Sequence, residues 1–305
     1  MLLARARRIR SLDYLVSQAE TTADAISYKH SSHTSSATAT LKADLEGQPM
    51  KKALSSAIAA YRKYRAAKAN SRAYRVLRYL VLSIVVSYVL LLCFPQVLFA
   101  HEISYRNLKV YSMEPLDQNI YAVLDRVESN LATSEINTQE VKPRIFLTNG
   151  FSLYALLSLY VGSNSFGKGF AALPTNNIFI NKSDLAKDLV FRNAPANNER
   201  SLSGVIAHET THLLIRKRYG YWRNLIMPTW KKEGYAEYVA GGSTLTFETG
   251  VKMWKASPQD GTGYQYFKYY MLVKYLLEHE KLSVDDLFNR EIDVQSLEEK
   301  VLKSL

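Results

Sequence analysis

Cysteine is almost absent from this sequence: Cys93 is the only one among 305 residues, and it lies within a run of apolar residues. No disulfide can therefore form within the region that follows, so the stability of that region must come from its buried core even in an oxidising compartment. With 47% hydrophobic residues, the chain is long enough to build one or two domains with a substantial core.

Charge is absent between Tyr79 and Ala100, where 22 consecutive residues read YLVLSIVVSYVLLLCFPQVLFA. As a helix rising about 1.5 Å per residue, this run would reach about 33 Å, which is enough to cross a hydrocarbon core of about 30 Å. A buried core helix is the alternative, but such a helix usually carries a polar stripe. The run therefore predicts one transmembrane helix over residues 79–100.

Acidic residues are scarce before this run. Residues 1–78 contain 15 Lys and Arg but 5 Asp and Glu, whereas residues 101–305 contain 24 and 23, so the net charge of +11 belongs almost wholly to the N-terminal segment. Basic residues near a span are retained on the cytoplasmic side. The sequence therefore predicts a cytoplasmic N-terminus and a C-terminal domain on the other side, most simply in a bacterial inner membrane with the domain facing the periplasm.

Two targeting signals offer alternatives to an uncleaved signal anchor. Pro95 and the small Ala100 could mark a signal-peptide cleavage site, and the Arg-rich opening MLLARARRIR is typical of an organelle transit peptide. Against cleavage, the apolar run is longer than the core of a usual signal peptide, and 78 residues are too many for the basic segment before it. An uncleaved anchor is the preferred interpretation.

The N-terminal segment divides into a tail and a basic helix. Residues 1–49 are rich in Ser, Thr and Ala without an apolar period, which predicts a disordered tail. Residues 50–78 predict a juxtamembrane helix with one basic stripe, formed by Arg65, Lys68, Arg72 and Arg75. This stripe would attract anionic lipid head groups, although charge that only sets the topology explains it equally well. Nucleic acid is not an expected partner, because the segment has few aromatic side chains for base stacking.

The region over residues 101–305 reads as one domain with strands first and helices later. Strands are predicted at 107–112, 144–148 and 178–181. Helices are predicted at 116–131, 152–161, 201–219, 229–240 and 264–280, followed by two shorter helices up to Leu305. Glycines and one proline predict a loop over residues 162–177. This order favours an α+β fold with a small sheet beside a helical lobe.

The sequence VIAHETTHLL places two histidines four residues apart on one face of a predicted helix. The imidazoles of His208 and His212 can then bind one zinc ion at about 2.0–2.1 Å each. Glu209 lies about 100° around the helix from His208, where it can reach a water at the metal without ligating the metal; this is the HExxH arrangement. The alternative is a helix whose histidines face water or ordinary partners.

A third ligand is available in PTWKKEGYAEY. Pro228 and Thr229 signal the start of a helix, and Glu233 lies one turn into it, so two antiparallel helices could bring this carboxylate to the histidines. Two histidines and a glutamate would leave one zinc position open for water, as in catalytic sites. Gly234 would permit a close helix approach. Glu237 could accept the second ring N–H of a ligating histidine, although a solvent-exposed role is equally open.

HETTH followed by WKKEGYAEY resembles the gluzincin metallopeptidases, in particular the peptidase MA-like group. The resemblance implies a zincin-type fold, Zn²⁺ held by His208, His212 and Glu233, and Glu209 as the general base for a zinc-activated water. The GxMEN sequence of the aminopeptidase N family is missing, so exopeptidase action is not supported. Ile215 and Arg218 stand where the HExxHxxGxxH subgroup has its glycine and third histidine, which excludes that subgroup.

The resemblance also implies a tyrosine that stabilises the oxyanion and an edge strand that pairs with the substrate. Within YQYFKYY, Tyr266 is the preferred tyrosine, ahead of Tyr264 and Tyr270, although aromatics at helical spacing commonly fill core. The candidate edge strand consists of Asn177, Ile178, Phe179, Ile180 and Asn181. A purely structural strand is an equally open interpretation.

These observations predict a membrane-anchored zinc metallopeptidase that hydrolyses peptide bonds of a peptide or protein substrate. The alternative is a catalytically inactive relative that keeps the fold as a binding or assembly module of the membrane. A membrane-tethered nucleic-acid binder is a weak third interpretation, since the basic charge of the N-terminal segment is explained by topology.

Overall fold

The structure is a computed structural model that describes residues 71–305, apart from 139, 162–166, 194–198 and 257–261, together with a few isolated residues between 56 and 66. It divides the chain into two compact units, Met1–Val86 and Ser87–Leu305. The predicted tail over residues 1–49 and most of the predicted basic helix over residues 50–78 lie outside the described residues.

A long apolar helix, α1 (Arg72–Cys93), connects the two units. By length and composition it is able to cross a membrane, with a window of mean hydropathy 2.3. The predicted end of the span at Ala100 is wrong, because the helix stops at Cys93. Pro95 lacks an N–H and disfavours helical geometry at Phe94, and a short 3-10 turn follows it.

The second unit is built on a five-stranded sheet with strand order β1-β2-β3-β5-β4. Its strands are β1 (His101–Tyr105), β2 (Leu108–Ser112), β3 (Arg144–Leu147), β4 (Gly169–Ala172) and β5 (Asn177–Ile180). The three inner strands are parallel, and β1 and β4 pair antiparallel at the two edges. The unit is therefore a mixed α and β structure with a small sheet, as the sequence predicts.

The prediction that Asn177–Asn181 forms the edge strand is wrong. This segment is β5, which pairs on both sides, and all four of its strand residues are buried, as expected for a strand covered on both faces. The edge strand is β4, which lies inside the predicted loop over residues 162–177. Glycines and a proline around β4 signal a loop, but pairing with β5 holds the short segment extended.

Each face of the sheet packs against a different layer. One face carries a row of stacked rings, one from each of four strands: Tyr111, Phe146, Phe179 and Phe170. The opposite face packs against α2 (Asn119–Leu131) and α4 (Leu202–Tyr219). The buried positions of α2 are those that its sequence period predicts, namely Ile120, Val123, Leu124, Val127 and Leu131.

The last turns of α1 belong to the second unit and pack on the aromatic face of the sheet. Tyr88 donates a hydrogen bond of 2.9 Å to the carbonyl of Leu157, at the end of α3 (Phe151–Leu157). Asn177 Nδ2 donates to the final helical carbonyls of Leu92 and Cys93, at 2.7 and 3.3 Å. The last carbonyls of a helix have no hydrogen-bond partner within the helix, and the Asn177 side chain on β5 supplies the donor here.

A second, three-stranded antiparallel sheet leads into α4. Its strands are β6 (Ser183–Asp184), β7 (Leu189–Phe191) and β8 (Glu199–Ser201). The sequence prediction missed this sheet, because its strands have two or three residues and show no clear alternation. Ser201 caps α4 by accepting a hydrogen bond from the Gly204 N–H, and Asp188 accepts two from Ser203.

Helices form most of the chain after α4. They are α5 (Tyr221–Ile226), α6 (Thr229–Val239), α7 (Phe247–Ala256), α8 (Thr262–Lys274), α9 (Val284–Asn289) and α10 (Val294–Ser304), and a π-helical turn extends α8 to His279. The predicted helices over residues 201–219 and 229–240 correspond to α4 and α6. These two helices pack against each other, and α8 packs on α6.

Candidate metal centre

The candidate metal centre lies where α4 and α6 meet. His208 and His212 project from the same face of α4, and Glu233 lies one turn into α6. Almost the whole N-terminal part of α4 is buried, so its polar side chains face neighbouring elements and not water. His208 is therefore buried, whereas the side chains of His212 and Glu233 are 22% and 17% exposed.

Three donor atoms converge on one point. His208 Nε2 and His212 Nε2 are 3.2 Å apart, and Glu233 Oε2 lies 3.3 Å from the first and 3.5 Å from the second. Two ligands bound at about 2.0–2.1 Å to a tetrahedral ion are about 3.3 Å apart, so the triangle matches three corners of such a site. The partly buried cluster is able to hold a metal ion.

Behind His208 lies a buried carboxylate with its own cation. Glu237 Oε1 is 3.3 Å from His208 Nδ1, an ion-pair distance without the alignment of a good hydrogen bond. Arg200, on β8, binds both oxygens of Glu237 at 2.9 and 2.5 Å and donates to the Gly242 carbonyl. Sequence reasoning predicted Glu237 and missed Arg200, because no local pattern links a residue on a short strand to a helix 37 residues away.

The electrostatics of this cluster favour positive charge at His208. Burial alone would lower the pKa of His208, but the carboxylates of Glu237 and Glu233 raise it to about 10. Burial would raise the pKa of Glu237, yet Arg200 and His208 hold it below its ordinary value. Such a pocket suits a cation, since carboxylates surround the imidazoles that would ligate it.

Glu209 lies beside the three donors without being one of them. Burial raises the pKa of its carboxyl, against the attraction of the two histidines and a hydrogen bond from the Ala171 N–H on β4. The edge strand approaches α4 closely at this point: a Cβ added to Gly169 would lie 2.8 Å from Val205 and 3.3 Å from Glu209. Glycine therefore permits β4 to form a wall of the site.

Of the three candidate tyrosines, the structure brings Tyr266 to the metal centre. Its ring centre lies 6.3 Å from that of His208, and burial, followed by the charges of Glu233 and Glu209, raises its pKa, so the hydroxyl stays protonated. Tyr264 is buried beside Lys268, and the Tyr270 hydroxyl accepts a hydrogen bond from Lys274. The role of Tyr266 stays a prediction.

These groups line one cleft of about 230 Å³. Its walls include β4 residues, α4, α6 and Tyr266, and none of the residues Asn177–Asn181 reaches it. No protein-family model matches the chain, and a search of curated proteins finds no significant match. The resemblance to gluzincins therefore stays a prediction, and the geometry of the cleft is the basis for a proposed function.

Proposed function

We propose that this protein is a zinc metallopeptidase that hydrolyses peptide bonds. The observation that carries the proposal is the triangle of His208, His212 and Glu233 donors, with Glu209 beside it and a strand edge above it. Two imidazoles and one carboxylate suit zinc, and three protein ligands leave a position for reactants. Bound zinc would supply a Lewis acid and lower the pKa of a reacting water.

The chain's own residues supply the remaining chemistry. Glu209 accepts a proton from the attacking water and returns it to the nitrogen of the leaving amine. Tyr266 donates its hydroxyl proton in a hydrogen bond to the oxyanion that develops on the peptide carbonyl. Glu237 holds the His208 ring in orientation, and Arg200 keeps Glu237 ionised and in place.

The edge strand β4 is the proposed binding site for the substrate backbone. Its outer edge has no strand partner among the described residues, and it borders the cleft next to Glu209. An extended peptide can add to such an edge through main-chain hydrogen bonds. This binding mode is largely independent of side chains and suits a peptide or an unfolded protein segment.

A hydrolysis assay tests this function on the full-length chain purified in detergent. We expect one zinc per chain, hydrolysis of a peptide mixture, and loss of hydrolysis with a chelator. Glu209→Gln should retain zinc and lower the rate at least about 100-fold, whereas the exposed Glu248→Gln should behave as the wild type. A protein that binds zinc but hydrolyses no peptide would support a binding module instead, and failure to bind zinc would overturn the proposal.

We further propose that α1 anchors the protein in a membrane with the domain on the non-cytoplasmic side, facing the periplasm in a bacterium. The length of α1 and the basic residues before the apolar run support this topology. A cysteine introduced at the exposed Ser304 should react with a membrane-impermeant maleimide in intact spheroplasts, and one at Ser36 only after lysis. The reverse pattern of labelling would contradict the orientation.

A further inference from the structure

One wall of the cleft is basic. Arg216 lies one helical turn beyond His212 on α4, and Lys232 immediately precedes Glu233 on α6. Both cations line the cleft, together with Asn224 on α5. Among the described residues, the acidic ones that line it are Glu233, a candidate metal ligand, and Glu209 beside it.

Arg216 is held in place by uncharged groups. Its Nη2 donates to the Thr175 carbonyl at 2.5 Å and to Asn176 Oδ1 at 3.0 Å, in the turn between β4 and β5. Within the described part of the chain, its Nε and Nη1 form no hydrogen bond and no carboxylate pairs with it. Burial lowers the pKa of this guanidinium, so its charge would be stabilised by an anion.

The other two residues are also incompletely satisfied. Lys232 donates to the Asn224 backbone carbonyl at 3.0 Å, and it forms no ion pair with any described residue. The side-chain oxygen Oδ1 of Asn224 is buried and has no hydrogen-bond partner in the described region. Buried polar atoms without partners are rare in folded proteins, so this acceptor points to a missing donor.

We propose that Arg216, Lys232 and Asn224 form a subsite for a residue of the substrate that carries a carboxylate. The two cations bind the carboxylate, and Asn224 Oδ1 accepts a backbone N–H of the same segment. The carboxylate comes from an Asp or Glu side chain or from the C-terminus of the substrate. A free N-terminal ammonium is disfavoured here by the like charges. This inference deepens the proposed function, because it takes the ligand to be a peptide.

Binding measurements test the subsite separately from catalysis. Full-length Glu209→Gln protein in detergent, loaded with zinc, is titrated with three labelled peptide pools of otherwise identical random composition. One pool has a fixed Glu and one a fixed Gln, both acetylated and amidated, and the third has the fixed Gln and a free C-terminus. We expect either the Glu pool or the free-carboxylate pool to bind about tenfold more tightly than the amidated Gln pool. The pool that binds more tightly shows whether the carboxylate is a side chain or the C-terminus.

Charge-neutral variants of the subsite should remove this preference. In the same background, Lys232→Gln and Arg216→Gln should each bring the affinities of the pools to within about twofold. The matched control is Lys217→Gln, next to Arg216 but outside the cleft, with a side chain that is 54% exposed; it should keep the preference. Thermal unfolding checks that each variant is folded. If Arg216→Gln does not fold, Lys232→Gln alone is sufficient to test the subsite.

Equal binding of all three pools, or a preference that survives Lys232→Gln, would overturn the subsite. Hydrolysis of the same pools by the wild-type protein is scored separately. Cleavage without discrimination between Glu and Gln contradicts the subsite and leaves the peptidase function standing. Preferential binding of a carboxylate-bearing pool without any cleavage supports the subsite and contradicts the peptidase function.

Discussion

Glu237 is the most deeply buried charged residue in the described part of the domain. Its side chain is 1% exposed, and it lies between the guanidinium of Arg200 and the imidazole of His208. A buried ion pair contributes little net stability compared with apolar side chains, but removal of one partner leaves an uncompensated buried charge. Loss of Arg200 would therefore leave the Glu237 carboxylate buried without its cation, next to His208.

Replacement of Arg200 by Met should lower the free energy of unfolding by about 3 kcal/mol, because the Glu237 carboxylate then stays buried without its cation. It should also weaken zinc binding, since Glu237 no longer holds the His208 ring. Denaturant unfolding and competition with a chromogenic chelator measure the two effects. Arg290→Met, which removes an exposed pair with Asp286, should change stability by less than about 1 kcal/mol. Equal effects of the two substitutions would contradict this account.

Glu233 is the proposed ligand on the second helix, α6. Glu233→Ala should weaken zinc binding more than tenfold, because two donors cannot replace three. Metal analysis after dialysis against a weak chelator measures the loss, and Glu248→Ala serves as the control for a surface glutamate. Wild-type zinc content in Glu233→Ala would remove this residue from the ligand set.

The helices of this chain were more predictable than its strands. An apolar period of 3.6 residues predicts α2 and also which of its residues are buried. The spacing of the HExxH motif and of the glutamate that follows it predicts that α4 and α6 carry the metal-binding side chains. The edge strand β4 has four residues, among them Gly169, and the surrounding glycines and proline give a loop signal. Its extended conformation depends on pairing with β5 and on close contact with α4. The residues around β4 in the sequence carry no sign of these contacts.

The crossing of α6 and α8 depends on a single glycine. A Cβ added to Gly234 would lie 2.3 Å from the Tyr269 carbonyl oxygen and 2.7 Å from Val273. Contacts this short would require the two helices to move apart. Glu233 lies on α6 and Tyr266 on α8, so the distance between these two side chains would change as well. Gly234 therefore helps to set the distance between Glu233, a candidate ligand, and Tyr266 in the wall of the cleft.

Gly234→Ala should destabilise the protein by about 1–3 kcal/mol through overpacking, although alanine favours the helix by about 1 kcal/mol. It should also lower zinc affinity. Thermal unfolding with and without zinc measures both effects. Gly150→Ala is the matched control, because nothing lies within 4 Å of its added Cβ. A stabilised Gly234→Ala protein would show that the helices separate without cost.

At the scale of the whole molecule, the second unit begins at Ser87, before the residue that the sequence predicts as the start of the domain. An uncharged run suggests that the domain begins at His101, but Pro95 and Phe99 are buried and Leu91 and Leu92 pack against the aromatic face of the sheet. Apolar composition alone cannot distinguish a residue that faces lipid from one that faces protein. The contact becomes visible once the sheet has formed.

A fragment over residues 101–305 should be less stable than one over residues 87–305, by at least about 2 kcal/mol from the loss of the buried Phe99 alone. When both fragments are measured in the same mild detergent, the melting temperature of 101–305 should be several degrees below that of 87–305. A fragment over residues 80–305 should unfold at the same temperature as 87–305, because the added residues lie outside the second unit. Equal melting of the two shorter fragments would contradict the boundary.

The hydrogen bonds from Asn177 to Leu92 and Cys93 have a mechanical consequence. Asn177 pairs with Ala172 of the edge strand, so one residue joins the last turn of α1 to the strand beside the metal centre. A force along this end of α1 would therefore act first on β5 and then, through the strand pairing, on β4. If α1 spans a membrane, as proposed, it would be coupled mechanically to the strand edge that borders the cleft.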